Sequence, residues 1–174
     1  MKKMLFFLTI GFLLLLSACT EPSINHLNLT LNPGIDTIEI GQSHIDTGAK
    51  ASYGLRLLTV EVIENDINVN QLGVYEIIYQ TTYSGLTKTI TRYVTVIDEN
   101  PPVISLNPGI DTIFIDETWI DAGVETSDAS GGEITIITEG EVLNIEGEYI
   151  ITYYATDESG NTAQIKRYVS VISN

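Results

Sequence analysis

Hydrophobic and polar residues alternate from Tyr149 to Thr156. Tyr149, Ile151, Tyr153 and Ala155 share one face, and Ile150, Thr152, Tyr154 and Thr156 share the other. An earlier segment puts Tyr75, Ile77, Tyr79 and Thr81 in the same register, and Val94 with Val96, and Val169 with Val171, keep the period of two. That period belongs to strands with one face buried. β-branched and aromatic residues dominate these runs, while Gly with Asn, Asp or Ser punctuates them at intervals suited to a sandwich. Beyond the N-terminal apolar run, no stretch combines a helical period with caps. The pattern predicts an all-β chain built as antiparallel β-sandwich.

The pattern is also written twice. Leu31–Ile38 and Leu106–Ile113 are both LNPGIDTI, 75 residues apart, and Asp46-Thr47-Gly48 and Arg92-Tyr93-Val94 recur at the same offset as Asp121-Ala122-Gly123 and Arg167-Tyr168-Val169. A period of this size exceeds that of solenoid repeats and matches a small complete domain. Two tandem domains are expected, 29–98 and 99–174, meeting near Val96–Ile104. In each, Asn-Pro-Gly is expected to break the first strand, and Ile35–Ile40 or Ile110–Ile115 to resume it. Gly73-Val74-Tyr75 and Gly147-Glu148-Tyr149 place a tyrosine at the entry to a long alternating strand, as the tyrosine corner of immunoglobulin-like domains does. Their hydroxyls are expected to bond backbone, with an exposed aromatic strip as the alternative.

The N-terminus changes the picture of where the chain works. Lys2 and Lys3 precede an apolar run, Leu5–Leu16, broken only by Thr9 and Gly11. It is too short to span a bilayer, which takes about 20 residues, but it suits the h-region of a signal peptide. Leu16-Ser17-Ala18-Cys19 resembles the bacterial lipoprotein box, which implies a signal peptide over 1–18, a lipid on the Cys19 sulfur, and a tether over 19–28. An ordinary secretory signal with an incidental cysteine is the alternative. Cys19 is the only cysteine, so no disulfide is available. Loss of Lys2 and Lys3 leaves six basic against 23 acidic residues, a net charge of −17. So acidic a surface disfavours nucleic acid and unaided binding to anionic membranes. The membrane partner is reached through the lipid, on the extracytoplasmic face of the bacterial cell membrane.

The order PPVISLNPG, WIDAGVETSD and GEYIITYYATDESGNTAQIKRYVSVI resembles the bacterial immunoglobulin-like repeats appended to surface lipoproteins, adhesins and glycoside hydrolases. The resemblance covers nearly all of Ile24–Ile172 and is stronger in the second unit. It implies an extracellular binding, adhesion or spacer module with a surface protein or glycan as partner, and it supplies no catalytic residue.

The residues add little chemistry of the enzymatic kind. The two histidines, His26 and His44, lie in the tether and opposite Trp119 of the second unit, and there is no phosphate-cradling glycine loop, Cys/His cluster or nucleophile elbow. A non-enzymatic role is expected. Trp119 and Tyr154 are candidates for stacking on a sugar, which would make the chain a carbohydrate-binding or substrate-presenting accessory of a surface hydrolase or export system. The sharpest chemical expectation lies at the junction. In a sandwich of this topology the loop before the last strand, Asp157-Glu158-Ser159-Gly160-Asn161, sits at the linker end and faces Asp98-Glu99-Asn100, and the turn from Asp128 to Glu133 reaches towards the same end. Asp98, Glu99, Asn100, Asp128, Asp157 and Glu158 are hard oxygen donors suited to a structural Ca²⁺. The linker resembles the acidic linker of cadherins, where calcium stiffens successive domains. A turn followed by a semi-rigid Pro-Pro hinge is the alternative reading.

Overall fold

The computed structural model describes residues 21–173; the apolar run, Cys19 and the signal peptide assigned to them lie outside the described residues. Apart from one 3-10 turn at Ile24–His26, the regular elements described are strands. The first unit holds β1 (Leu27–Leu31), β2 (Thr37–Glu39), β3 (Ala49–Tyr53), β4 (Arg56–Leu58), β5 (Glu61–Asn65), β6 (Gly73–Tyr83) and β7 (Leu86–Ile97). The second holds β8 (Val103–Leu106), β9 (Thr112–Phe114), β10 (Val124–Ser127), β11 (Thr135–Glu139), β12 (Gly147–Thr156) and β13 (Thr162–Ile172). Each unit is a sandwich. A four-stranded sheet, β2-β7-β6-β5 or β11-β12-β13-β9, packs against a smaller one, β1-β3-β4 or β8-β10. Strand β1 starts at Leu27, two residues inside the expected tether.

The opening strand of each unit is split between the sheets. β1 pairs antiparallel with β3, whereas β2 pairs parallel with the end of β7 through Thr37↔Thr95, Ile38↔Val96 and Glu39↔Ile97. Pro33 offers no N–H to a ladder, and the segment Asn32–Asp36 carries the chain from one sheet to the other. The resumed strand is therefore three residues long and lies in the opposite sheet, shorter than the expected Ile35–Ile40. In the second unit Asn107–Asp111 makes the same crossing, and β9 pairs parallel with β13.

The inward faces are those the alternation marks. Ile38, Ile77, Tyr79, Val94 and Val96 form the first core, and Ile113, Ile151, Tyr153, Ala155, Val169 and Val171 are buried in the second. Each fully buried aliphatic side chain contributes roughly 1.5–3 kcal/mol. Tyr75 donates its hydroxyl to the Gln71 carbonyl at 2.8 Å and Tyr149 to the Ile145 carbonyl at 2.7 Å, the backbone bond expected of a tyrosine corner.

A buried arginine ties the crossing segment to the core of each unit. Arg92 and Arg167 are both about 1 % exposed. Arg92 pairs with Asp36 at 2.6 Å and donates to the carbonyls of Asn32 and Gly48 at 2.6 and 3.2 Å. Arg167 pairs with Asp111 at 3.0 Å and donates to the carbonyls of Asn107 and Gly123 at 2.7 and 3.0 Å. Tyr79 and Tyr153 donate their hydroxyls to Asp46 and Asp121 beside the same guanidinium groups. A Cβ on Gly34 would stand 2.9 Å from Arg92 Nη1 and 2.7 Å from Thr47 Oγ1, and one on Gly109 would stand 2.8 Å from Ala122 Cβ. The repeated LNPGIDTI is therefore a cradle for an arginine. Its Asn gives a carbonyl, its Gly gives room, its Asp gives the counter-charge and its last Ile enters the core.

Candidate functional site

Three of the predicted donors meet where the two units join. Asp98 follows β7, Asp128 follows β10 and Asp157 follows β12, and each opens a turn closed by its own carboxylate. Asp98 Oδ1 accepts from the Asn100 N–H at 3.1 Å. Asp128 Oδ1 accepts from the Ser130 N–H and hydroxyl at 2.7 and 2.6 Å, and Asp157 Oδ1 accepts from the Asn161 N–H at 2.8 Å. Asn161 then spans the junction, its Nδ2 donating to the Asp98 carbonyl at 3.1 Å and to Asp157 Oδ2 at 3.0 Å. One carboxylate oxygen from each aspartate lies within 4.8 Å of the others.

The electrostatics of this cluster are incomplete. Asp98 and Asp157 are 8 % and 6 % exposed, and Asp98 Oδ2 is buried with no hydrogen-bond donor. Burial opposes ionisation of Asp157, but the Asn161 side chain and the N–H groups of Asn161, Gly160 and Ser159 outweigh it and hold the carboxyl below its ordinary value of 3.8. Among the described residues the ion pairs all belong to Arg92 and Arg167, so no side-chain cation neutralises the cluster. A buried carboxylate oxygen without a partner is costly. A divalent cation would supply both the charge and the missing contact, and carboxylate and carbonyl oxygens are the donors Ca²⁺ prefers.

The remaining predicted residues make other hydrogen bonds. Glu99 gives its N–H, and Asn100 its Nδ2, to the Glu39 carboxylate. Glu158 accepts from the Glu133 N–H at 3.2 Å and lies against Gly132. Trp119 is half-buried, donates its indole N–H to the Ile110 carbonyl at 3.1 Å, and lines a groove of about 250 Å³ with Ile113, Glu117, Val142 and Asn144. Tyr154 stands on the outer face of β12, paired with Ile137 on one side and Gln164 on the other, and does not line that groove.

The first unit carries a different cap at the same structural position. The side-chain pairs Thr82–Thr87 and Thr156–Thr162 bracket equivalent hairpin loops, which sets Tyr83 opposite Asp157. The 75-residue offset sets Tyr53 opposite Asp128 and Ser23 opposite Asp98. There Tyr53 and Tyr83 stack at 4.4 Å between ring centres, and the Ser23 N–H donates to the Tyr53 hydroxyl at 3.0 Å. The junction thus gathers three carboxylates where the free end of the first unit carries an aromatic pair. The loop Tyr83–Leu86 carries no carboxylate, but the aromatic cap itself was not legible, because stacking of two residues 30 positions apart leaves no local pattern.

Two repeats of sandwich topology, each with a tyrosine corner, agree with a direct match of residues 34–96 and 110–171 to the family model described as bacterial surface protein, Ig-like domain. The chain belongs to that family. No curated protein matches it. Among solved structures, the Ig-like pair aligns with a lipoprotein from Bacteroides thetaiotaomicron at 14% identity and a TM-score of 0.36, covering 83% of this chain and 80% of that one. It aligns with the EC1-2 region of human mucin-like protocadherin at 12% identity and a TM-score of 0.35, covering 84% and 99%. The fibronectin(III)-like modules of Clostridium thermocellum CbhA align at 15% identity and a TM-score of 0.32, covering 84% and 94%. Likenesses this distant bear on neither topology nor function. Membership of the family places the Ig-like units among extracytoplasmic surface modules.

Proposed function

We propose that the chain is a non-enzymatic, lipid-anchored surface module whose two Ig-like units are braced by calcium at their junction, so that it serves as a spacer or adhesive stalk. The carrying observation is the meeting of Asp98, Asp128 and Asp157 around a buried Asp98 Oδ2 that has no donor. Asp98 belongs to the first unit and the other two to the second, so one ion held among them ties the units across Pro101-Pro102. Water and backbone carbonyls would complete the six to eight oxygens that Ca²⁺ takes, with a Kd of about 10⁻⁴–10⁻³ M, typical of extracellular modules. The lipoprotein box at Cys19 supports the anchor.

Calcium titration by calorimetry on the fragment from Thr20 tests the metal. Saturable binding abolished by Asp98→Asn and by Asp157→Asn, with a higher melting temperature in calcium than in chelator, is the expected result; heat indistinguishable from dilution would overturn it. A second reading, glycan binding, draws on the half-buried Trp119 beside Glu117 and Asn144 in one groove. Quenching of the single tryptophan's emission by oligosaccharides would favour it, and an unchanged spectrum would remove it.

A further inference from the structure

The pole of the first unit that carries Tyr53 and Tyr83 is built differently from its counterpart, and its surroundings say what it meets. Two hairpin tips converge there with the incoming chain: β3–β4 turns through Gly54-Leu55 and β6–β7 through Ser84-Gly85. The 3-10 turn Ile24–His26 docks onto them. The His26 ring meets Tyr53 edge-on at 5.9 Å, the His26 carbonyl accepts from the Gly54 N–H at 3.3 Å, and Arg56 lies over the Tyr83 ring at 5.6 Å. Around this aromatic floor Leu55 and Leu57 are 104% and 84% exposed. Leucines at the tip and edge of a short hairpin, beside tyrosines with a polar end, have the composition of a membrane-interface surface.

The position of the pole fits the same partner. Strand β6 runs from Gly73 at the junction to Tyr83 at the pole, about 33 Å at 3.3 Å per residue. The pole is therefore the far end of the unit from the second domain. Its chain enters at Ser23, which is fixed to Tyr53, and only four residue steps separate Ser23 from Cys19. Four extended steps span at most about 14 Å, so a lipid on Cys19 would hold this pole within that distance of the bilayer.

Charge is arranged to match. Arg56 lies over Tyr83 at the pole and Lys88 donates to the Leu27 carbonyl at 3.0 Å just inside it, against Glu21 of the incoming chain, in a protein with 23 acidic and 8 basic residues. The rest of the acidic surface is repelled by anionic headgroups. Tethering supplies the effective concentration that unaided binding lacks.

We propose that the tyrosine-capped pole of the first unit rests in the headgroup region of the bilayer, with Leu55 and Leu57 inserted, so that the stalk stands off the membrane by its own first domain. This rests on the lipid-anchor reading above. Tyr53 and Tyr83 face a bilayer in the first unit for the reason that Asp128 and Asp157 of the second face Asp98 of the domain before it: the same end of one module meets whatever comes before it.

The test uses the whole lipidated protein reconstituted into vesicles of phosphatidylethanolamine and phosphatidylglycerol, with an environment-sensitive fluorophore on Leu55→Cys or, at the opposite end of the molecule, on Leu143→Cys. The label at 55 should emit at shorter wavelength than the label at 143, resist aqueous iodide several-fold better and be quenched by nitroxide-labelled lipid. Leu57→Glu should return it towards the spectrum in water. A label at 55 as accessible to iodide as that at 143 overturns the inference. Mass spectrometry of the purified protein separates the two readings, since an unmodified Cys19 removes the anchor and this inference with it, whereas a lipidated Cys19 with a solvent-exposed label at 55 removes only the inference.

Discussion

Each arginine cradle rests on a few side chains whose loss should be felt in full. Arg167→Met leaves the carbonyls of Asn107 and Gly123 without their donor and the partly exposed Asp111 carboxylate without its counter-charge, and each part-buried acceptor left unpaired costs about 1–3 kcal/mol. A unit of this size has a total stability of roughly 4–11 kcal/mol, so the second unit should lose much of its urea midpoint while the first keeps its own. Arg167→Lys should rescue little, because an ammonium cannot reproduce the planar fork. The tyrosines of the cradles set an alkaline limit. Burial and the bond to Asp46 or Asp121 raise the Tyr79 and Tyr153 hydroxyls above the ordinary 10.0. The phenol form is the one the fold favours, so the stability these groups give is complete below pH 10 and is lost as pH rises from 10 through their raised values. Absorbance titration should show two of the nine tyrosines ionising only as the protein unfolds, and Phe at both positions should flatten that alkaline fall.

Strand elements owe their existence to alternation and their ends to single turn residues, and this divides what was legible from what was not. The long hairpins β6–β7 and β12–β13, and the tyrosines at their entry, follow from a period of two that one buried face imposes. Removing the hydroxyls by Tyr75→Phe and Tyr149→Phe should cost about 1 kcal/mol each, and because the corners lie in separate units the two losses should add; chemical denaturation of the single and double variants checks both. The sheet switch at Asn32–Asp36 was less legible. Pro-Gly announces a break, but parallel pairing of β2 with β7 depends on a partner 58 residues later. Asp36 and Asp111 were hidden for the same reason, since each reads as a polar outward position until the arginine 56 residues on is brought to it. At the junction the topology correctly brought Asp98, Asp128 and Asp157 to one end. It could not separate them from Glu99, Asn100 and Glu158, because these residues lie in turns shaped by their own aspartate hydrogen bonds, where side chains follow no fixed period.

At the scale of the molecule, the question is how two sandwiches joined by Pro101-Pro102 keep a direction. Direct ties across the join are few: Asn161 Nδ2 reaches the Asp98 carbonyl, while Glu39 holds Glu99 and Asn100 to the first unit. Opposing them, three carboxylates with oxygens within 4.8 Å repel one another in water-poor surroundings. Without a cation the cheapest relief is separation of Asp98 from the two loops of the second unit, which opens the hinge. In the proposed calcium-bound state the repulsion would become attraction to a shared ion, and the angle between the units would narrow to what the coordination allows. Small-angle scattering on the fragment from Thr20 should therefore give a broad distribution of lengths in chelator and a narrower one, with a larger mean extension, in millimolar calcium. Asp128→Asn removes charge from both sides of this balance, so it should relax the chelator-treated form and weaken the calcium response together. Identical scattering curves in chelator and calcium, with binding shown by calorimetry, would mean that the ion occupies a joint already rigid without it.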